Sequence, residues 1–155
     1  MINHEMRRSD RLLSETEAKQ ILTQGEYGIL STIGEDGYPY GVPLSYAFDG
    51  DKIYIHGAAE VGHKFENLGF CDKVCFTVVG ATEVLPSKFA TKYESVIVFG
   101  TVKPVANKLE ALEKVRIKYS PDFEETGKKY EKAAEQKVAV YEIQVEKITG
   151  KARKK

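Results

Sequence analysis

Tryptophan is absent from this chain, and cysteine, histidine and proline are scarce, with two, three and five in 155 residues. Two cysteines cannot form a disulfide framework, and Cys71 and Cys75 are not a CxxC pair, which excludes the common redox and zinc motifs. In one strand they would share a face, as ordinary buried or half-buried thiols. His56 and His63 stand close together in the chain, but only Glu60 accompanies them and no third histidine lies at ligand spacing. No metal is expected. No apolar run reaches the roughly 18 residues of a membrane span, and the opening MINHEMRRSDR has no signal-peptide apolar core. A cytoplasmic protein with no membrane partner is expected. Lys plus Arg, 23, equals Asp plus Glu, 23, so no global field draws the chain to nucleic acid. A charged ligand must be held locally. The basic ending KITGKARKK lacks interleaved aromatics and reads as a solvated terminus.

What is present suffices for one domain with one core: 155 residues, 42% of them hydrophobic. Residues 1–13 form a polar, arginine-rich arm anchored by Leu12 and Leu13. Ser14-Glu15-Thr16-Glu17 is a capping box, and Ala18, Ile21 and Leu22 continue it as a helix that Gly25 is expected to end in the left-handed conformation. Residues 27–33 are β-rich, and Gly34-Glu35-Asp36-Gly37 turns the chain back. From Tyr38 to Phe48 every second residue is bulky (Tyr38, Tyr40, Val42, Leu44, Tyr46, Phe48) and those between are small or proline, which is one strand. A turn at Asp49-Gly50-Asp51 leads to a strand over 52–56, with Ile53 and Ile55 on one face and Tyr54 and His56 on the other. A short helix over 60–69, carrying Val61, Phe65 and Leu68, precedes a strand over 74–79.

Residues 80–91 read as a long loop. Residues 95–105 form a strand with a bulge or bend at Gly100 and its end at Pro104. Asn107 caps a helix bearing Leu109, Leu112, Val115 and Tyr119, EETGKKYEKAAEQ is a further helical stretch, and residues 138–148 are the last strand. Six strands joined mostly by hairpins are best curled into a small antiparallel barrel with peripheral helices. A basic tail over 150–155 completes the single domain.

Residues 37–64, GYPYGVPLSYAFDGDKIYIHGAAEVGHK, carry the functional signal. Gly41, Ser45 and Ala47 leave the strand's backbone approachable by a flat ligand, and Pro39 and Pro43 place it partly on an edge. A packed barrel interior, with small residues opposing large ones, explains the same pattern. Downstream, His56-Gly57-Ala58 and His63-Lys64 converge on a helix start, where free amides, the helix dipole and a lysine favour a phosphate. No P-loop is present, and His63 and Lys64 also read as ordinary surface residues.

The arm MRRSDRLLSETEA, the passage GEYGILST, the core DGYPYGVPLSYAF, the segment IYIHGAAEVGHK and the strands CFTVV and YESVIVFGTV occur in this order over nearly the whole chain. Together they resemble the pyridoxamine 5'-phosphate oxidase-like, FMN-binding split-barrel superfamily, and within it the proteins associated with resistance to 5-nitroimidazole antibiotics. The resemblance implies a mainly β fold, a six-stranded antiparallel split barrel, in a homodimer that holds FMN at its interface. It places the isoalloxazine ring along Val42, Pro43, Leu44 and Ser45 and the phosphate near His56, Gly57, Ala58, His63 and Lys64. Tyr93, Glu94 and Ser95 would approach the cofactor from the late strand, from either subunit. Electron delivery from reduced FMN to a small acceptor, such as a nitro group, follows; a flavin-storage protein without turnover and a haem-associated barrel are the alternatives. Pyridoxamine phosphate oxidation itself is not expected, because the aromatic and arginine residues of its substrate-recognition segment have no counterpart in KITGKARKK.

Overall fold

The computed structural model describes residues 2–58 and 62–155. The helix α1 (Glu15–Gln24) opens on the expected capping box, with Ser14 Oγ accepting from the Glu17 amide at 3.2 Å and Ser14 N donating to Glu17 Oε2 at 3.0 Å. Ala18, Ile21 and Leu22 are its buried stripe. Gly25 follows, but not in the left-handed conformation, since its φ is −59°. Space is what it supplies: a Cβ there would stand 2.5 Å from both Tyr46 Oη and Val78 Cγ1.

The strands β1 (Gly28–Ile33) and β2 (Pro39–Leu44) form the expected hairpin, with Gly37 at φ 79° in its turn. The alternating stretch does not stay one strand. It stops at Leu44, crosses Ser45 and Tyr46, and resumes as β3 (Ala47–Asp49), paired with β4 (Lys52–Ala58) rather than with β1. Leu44, Tyr46 and Phe48 all remain against the core, so the side-chain period is unbroken while the partner changes. Among the described residues the sheet therefore has seven strands, not six.

Next come α2 (His63–Phe70), β5 (Lys73–Leu85), β6 (Ala90–Pro104), α3 (Lys108–Tyr119), α4 (Glu124–Ala134) and β7 (Val138–Arg153). Glu60 and Val61, expected in the helix that became α2, lie outside the described residues. Residues 80–91 are not the expected loop: they extend the β5–β6 ladder to a 3-10 turn at Pro86–Lys88, with Phe89 left-handed at φ 47°. That outer hairpin has both faces largely exposed, because β1 reaches β5 only between Cys75 and Thr77, and so its residues carry no readable period. Asn107 Oδ1 caps α3 at 3.2 Å from the Glu110 amide. Gly100 sits at the expected β6 register shift, where a Cβ would collide with the Gln144 carbonyl. The basic ending is not free either, since β7 runs to Arg153 and pairs with β6 there. The arm is seated too: Leu13 N donates to Gly150 O at 2.9 Å, and Lys147 Nζ holds the Ile2 and His4 carbonyls at 3.1 and 3.0 Å.

The sheet is antiparallel in the order β2-β1-β5-β6-β7-β4-β3. Its two edge strands are consecutive in the chain, joined only by Ser45 and Tyr46, a link that spans at most about 11 Å. The sheet must curl until its edges nearly meet, yet no ladder joins β2 to β3. This is the split barrel. Leu30, Ile53, Ile55, Phe76, Val78, Val96, Val98 and Ile143 fill it, with Ile21 and Leu22 of α1 joining the same core. A second cluster, Tyr54, Ala111, Leu112 and Val140, fastens α3 to the outside. Among the described residues no helix is long and apolar enough to cross a membrane, and no group of His, Cys, Asp or Glu is placed to hold a metal. Cys71 caps the end of α2 rather than sharing a strand with Cys75, and both thiols are free.

Candidate functional site

The edge strand β2 has the face its sequence anticipated. Proline cannot donate to a ladder, so the bonds to β1 run through the residues between, and the Gly41 backbone turns with the Pro39 and Pro43 carbonyls toward the open side. Pro39, Gly41, Pro43 and Ser45 are exposed, while Tyr40, Val42 and Leu44 are half-buried, the last two packed on the core. Up to Ser45 the small residues point away from the barrel, which removes the interior-packing explanation there; Ala47, expected to keep the backbone approachable too, is instead buried once β3 begins.

The strand β4 has an open side of its own past Tyr54, where β3 has ended and only β7 pairs with it. The described chain resumes at Gly62, which caps α2 at φ 111°. Its carbonyl accepts from the Phe65 and Glu66 amides at 3.0 and 3.2 Å. The His63 and Lys64 amides are thereby left at the positive end of the helix without an intrahelical acceptor. The His63 ring stacks on Tyr40, centroids 4.0 Å apart at 29°, and this contact ties the helix start to β2. The Lys64 ammonium lies 4.4 Å from the Phe65 ring centroid and against Gly57, where a Cβ would stand 2.9 Å from Nζ. Ala58 is exposed at the end of β4.

His56 points to the opposite face of β4, bordering a cleft of about 450 Å³ under α3 and α4. Its Nδ1 is buried without a hydrogen-bond partner among the described residues. Burial, aided by the Lys64 charge, holds the imidazole below its ordinary value of 6.5, so it is neutral at neutral pH.

Tyr93, Glu94 and Ser95 stand apart from this region. They lie on β6, with β5 and β1 between them and β2, and β7 between them and β4. Tyr93 Oη accepts from Arg11 Nη1 at 3.2 Å, a contact that lowers the phenol's pKa. Glu94 Oε1 accepts from the Ala81 amide at 3.2 Å, beside a cleft lined also by Gly25, Tyr27 and Val79. One chain thus gathers the β2, β4 and α2 residues at the split and leaves residues 93–95 elsewhere. Sequence reasoning missed Tyr40, whose only signal was membership of the alternation, and Tyr46, which is fully buried with its hydroxyl donating to the Leu22 carbonyl and its ring edge-on to Phe76.

A family model described as pyridoxamine 5'-phosphate oxidase matches residues 14–152, from the capping box of α1 to the end of β7. The chain belongs to that family. Solved structures with the same fold include a protein from Bacteroides thetaiotaomicron assigned provisionally to 5-nitroimidazole antibiotic resistance, 22% identical over 96% of both chains with a TM-score of 0.75. A conserved hypothetical protein from Mycobacterium tuberculosis is 19% identical over 96% of this chain and 90% of its own, TM-score 0.80. An FAD-binding protein from Mesorhizobium loti is 24% identical over 92% of this chain and 95% of its own, TM-score 0.61. No protein with a curated function matches the chain. At these identities the likeness is one of fold.

Proposed function

We propose that this member of the pyridoxamine 5'-phosphate oxidase family is a cytoplasmic flavoprotein that binds FMN in the barrel split and passes electrons to a small acceptor of the nitroimidazole class. The observation that carries the reading is the stack of His63 on Tyr40, which joins an approachable strand edge and a helix N-terminus bearing Lys64 into one continuous site. The residues present fit the group. A planar ring needs backbone it can approach closely, which β2 offers at Gly41 and along Val42, Pro43, Leu44 and Ser45. A phosphate needs amides and a cation, which His63 and Lys64 offer beside Ala58. Gly57 leaves the cradle in which the Lys64 ammonium rests, which an added Cβ would fill.

A bound flavin supplies the redox chemistry, taking electrons from a reduced donor and giving them to the acceptor. The protein's part is binding and orientation. Lys64 neutralises phosphate charge, Gly57 leaves the room its ammonium occupies, and β2 orients the ring. Because residues 93–95 stand strands away from the split, a second copy of the chain supplies them across a homodimer interface.

The purified protein is expected to be yellow, or to become so with FMN, and mass spectrometry of the released cofactor separates FMN from FAD. The loaded protein is expected to oxidise a reduced nicotinamide in the presence of a 5-nitroimidazole. A colourless protein that takes up neither flavin overturns the reading, and flavin binding without any turnover reduces it to a flavin carrier.

A further inference from the structure

The joint between the two sheet edges is held by a helix. At Ser45 and Tyr46 the chain has left the β1 ladder and has not yet entered that of β4, so a buried peptide unit is left to find other partners. Tyr119 Oη accepts the Tyr46 amide at 3.0 Å and donates to the Glu26 carbonyl at 2.6 Å. Lys118 Nζ donates to the Tyr46 carbonyl at 3.0 Å and stands 3.6 Å from the centroid of the Tyr46 ring. Both backbone polar groups of Tyr46 are thus taken by adjacent side chains at the C-terminal end of α3, and the ring between them is pinned by the Leu22 carbonyl and Phe76.

We propose that Lys118 and Tyr119 are positioning residues, which clamp the Ser45 and Tyr46 joint and thereby fix how the ring-bearing strand β2 lies along the split. Docking of α3 does not require them. Ala111 and Leu112 bury against Tyr54 and Val140, and Lys114 pairs with Asp49 at 2.7 Å. The last turn instead carries an ammonium partly out of water to the Tyr46 carbonyl, and burial pulls its pKa down to about 8. The clamp itself stands on geometry; its consequence for a bound ring rests on the flavin reading above.

The test uses the full chain and the variants Lys118→Met, Lys118→Arg and Tyr119→Phe. Without added flavin, amide hydrogen exchange over residues 41–47 is expected to quicken about tenfold in the Met and Phe variants, the change produced by losing one such hydrogen bond. Lys118→Arg is expected to stay near wild type, and the β5 and β6 amides are expected not to change. With FMN added, the Met and Phe variants are expected to shift the visible bands and reduction potential of the bound flavin relative to wild type. Exchange over 41–47 that is unchanged in both variants, or that rises only together with β5 and β6, overturns the clamp. Quickened exchange with an unshifted flavin overturns the positioning role. A wild-type chain that binds no FMN overturns the flavin reading alone, since the exchange measurement needs no ligand.

Discussion

Gly57 and Lys64 show how the site is built from single residues. A side chain at 57 would press on the Lys64 ammonium and on Phe65, whose Cζ would lie 3.1 Å from the added Cβ. The glycine is therefore a matter of room, since its φ is not positive. Lys64→Ala removes a cation from the proposed phosphate position and is expected to weaken FMN binding by about 1–3 kcal/mol in a fluorescence titration; unchanged affinity would put the phosphate elsewhere. His56 gives a pH signature. In the unfolded chain it takes up a proton near 6.5, while in the fold burial and Lys64 delay that uptake to lower pH. Between the two values the unfolded state binds more protons, so stability rises with pH and is lost as pH falls through that window. Urea midpoints at pH 7 and pH 5 are expected to fall more for the wild type than for His56→Gln, and equal losses would show that the imidazole charges freely in the fold.

Among the elements, the helical pair α3 and α4 depends on one buried ion pair. Arg116 Nε meets Glu131 Oε1 at 2.6 Å, each side chain about 9% exposed, and Gly127 is needed because a Cβ there would strike Arg116 Cδ. Glu131→Ala leaves the guanidinium buried with Glu113 as its remaining partner, at 3.6 Å. A loss of about 3 kcal/mol is expected in urea unfolding, the lower end for breaking such a pair. At α1 the capping box predicts a smaller effect, with Ser14→Ala costing about 1 kcal/mol by the same measurement. The two elements also differ in legibility. The α1 start was plain in Ser14-Glu15-Thr16-Glu17, because both cap partners are neighbours in sequence. The outer β5–β6 hairpin was not, because its strands bury no face and their polar residues mimic a loop.

For the whole molecule, the defining fact is that the sheet's two edges are sequence neighbours. The barrel closes on Ser45 and Tyr46, the split opens away from them, and residues 93–95 fall outside it. If a second copy completes the site, flavin affinity must depend on protein concentration. Dilution below the dimer dissociation range is expected to release FMN, followed by fluorescence alongside light scattering. A monomer that holds FMN at all concentrations would assign residues 93–95 no part in binding.

The sequence by itself determined the local and periodic features: the capped helices, the β1–β2 hairpin, the bulge at Gly100 and an edge strand at Pro39 and Pro43. Each of these is set by residues close together in the chain, or by a period that burial enforces. Only the tertiary structure decided which small residues face outward, that one alternation serves two strands, that His63 lies on Tyr40, and that α3 reaches Tyr46. These are contacts between residues distant in the chain. A period of two records which face of a strand is buried but not which strand lies beside it.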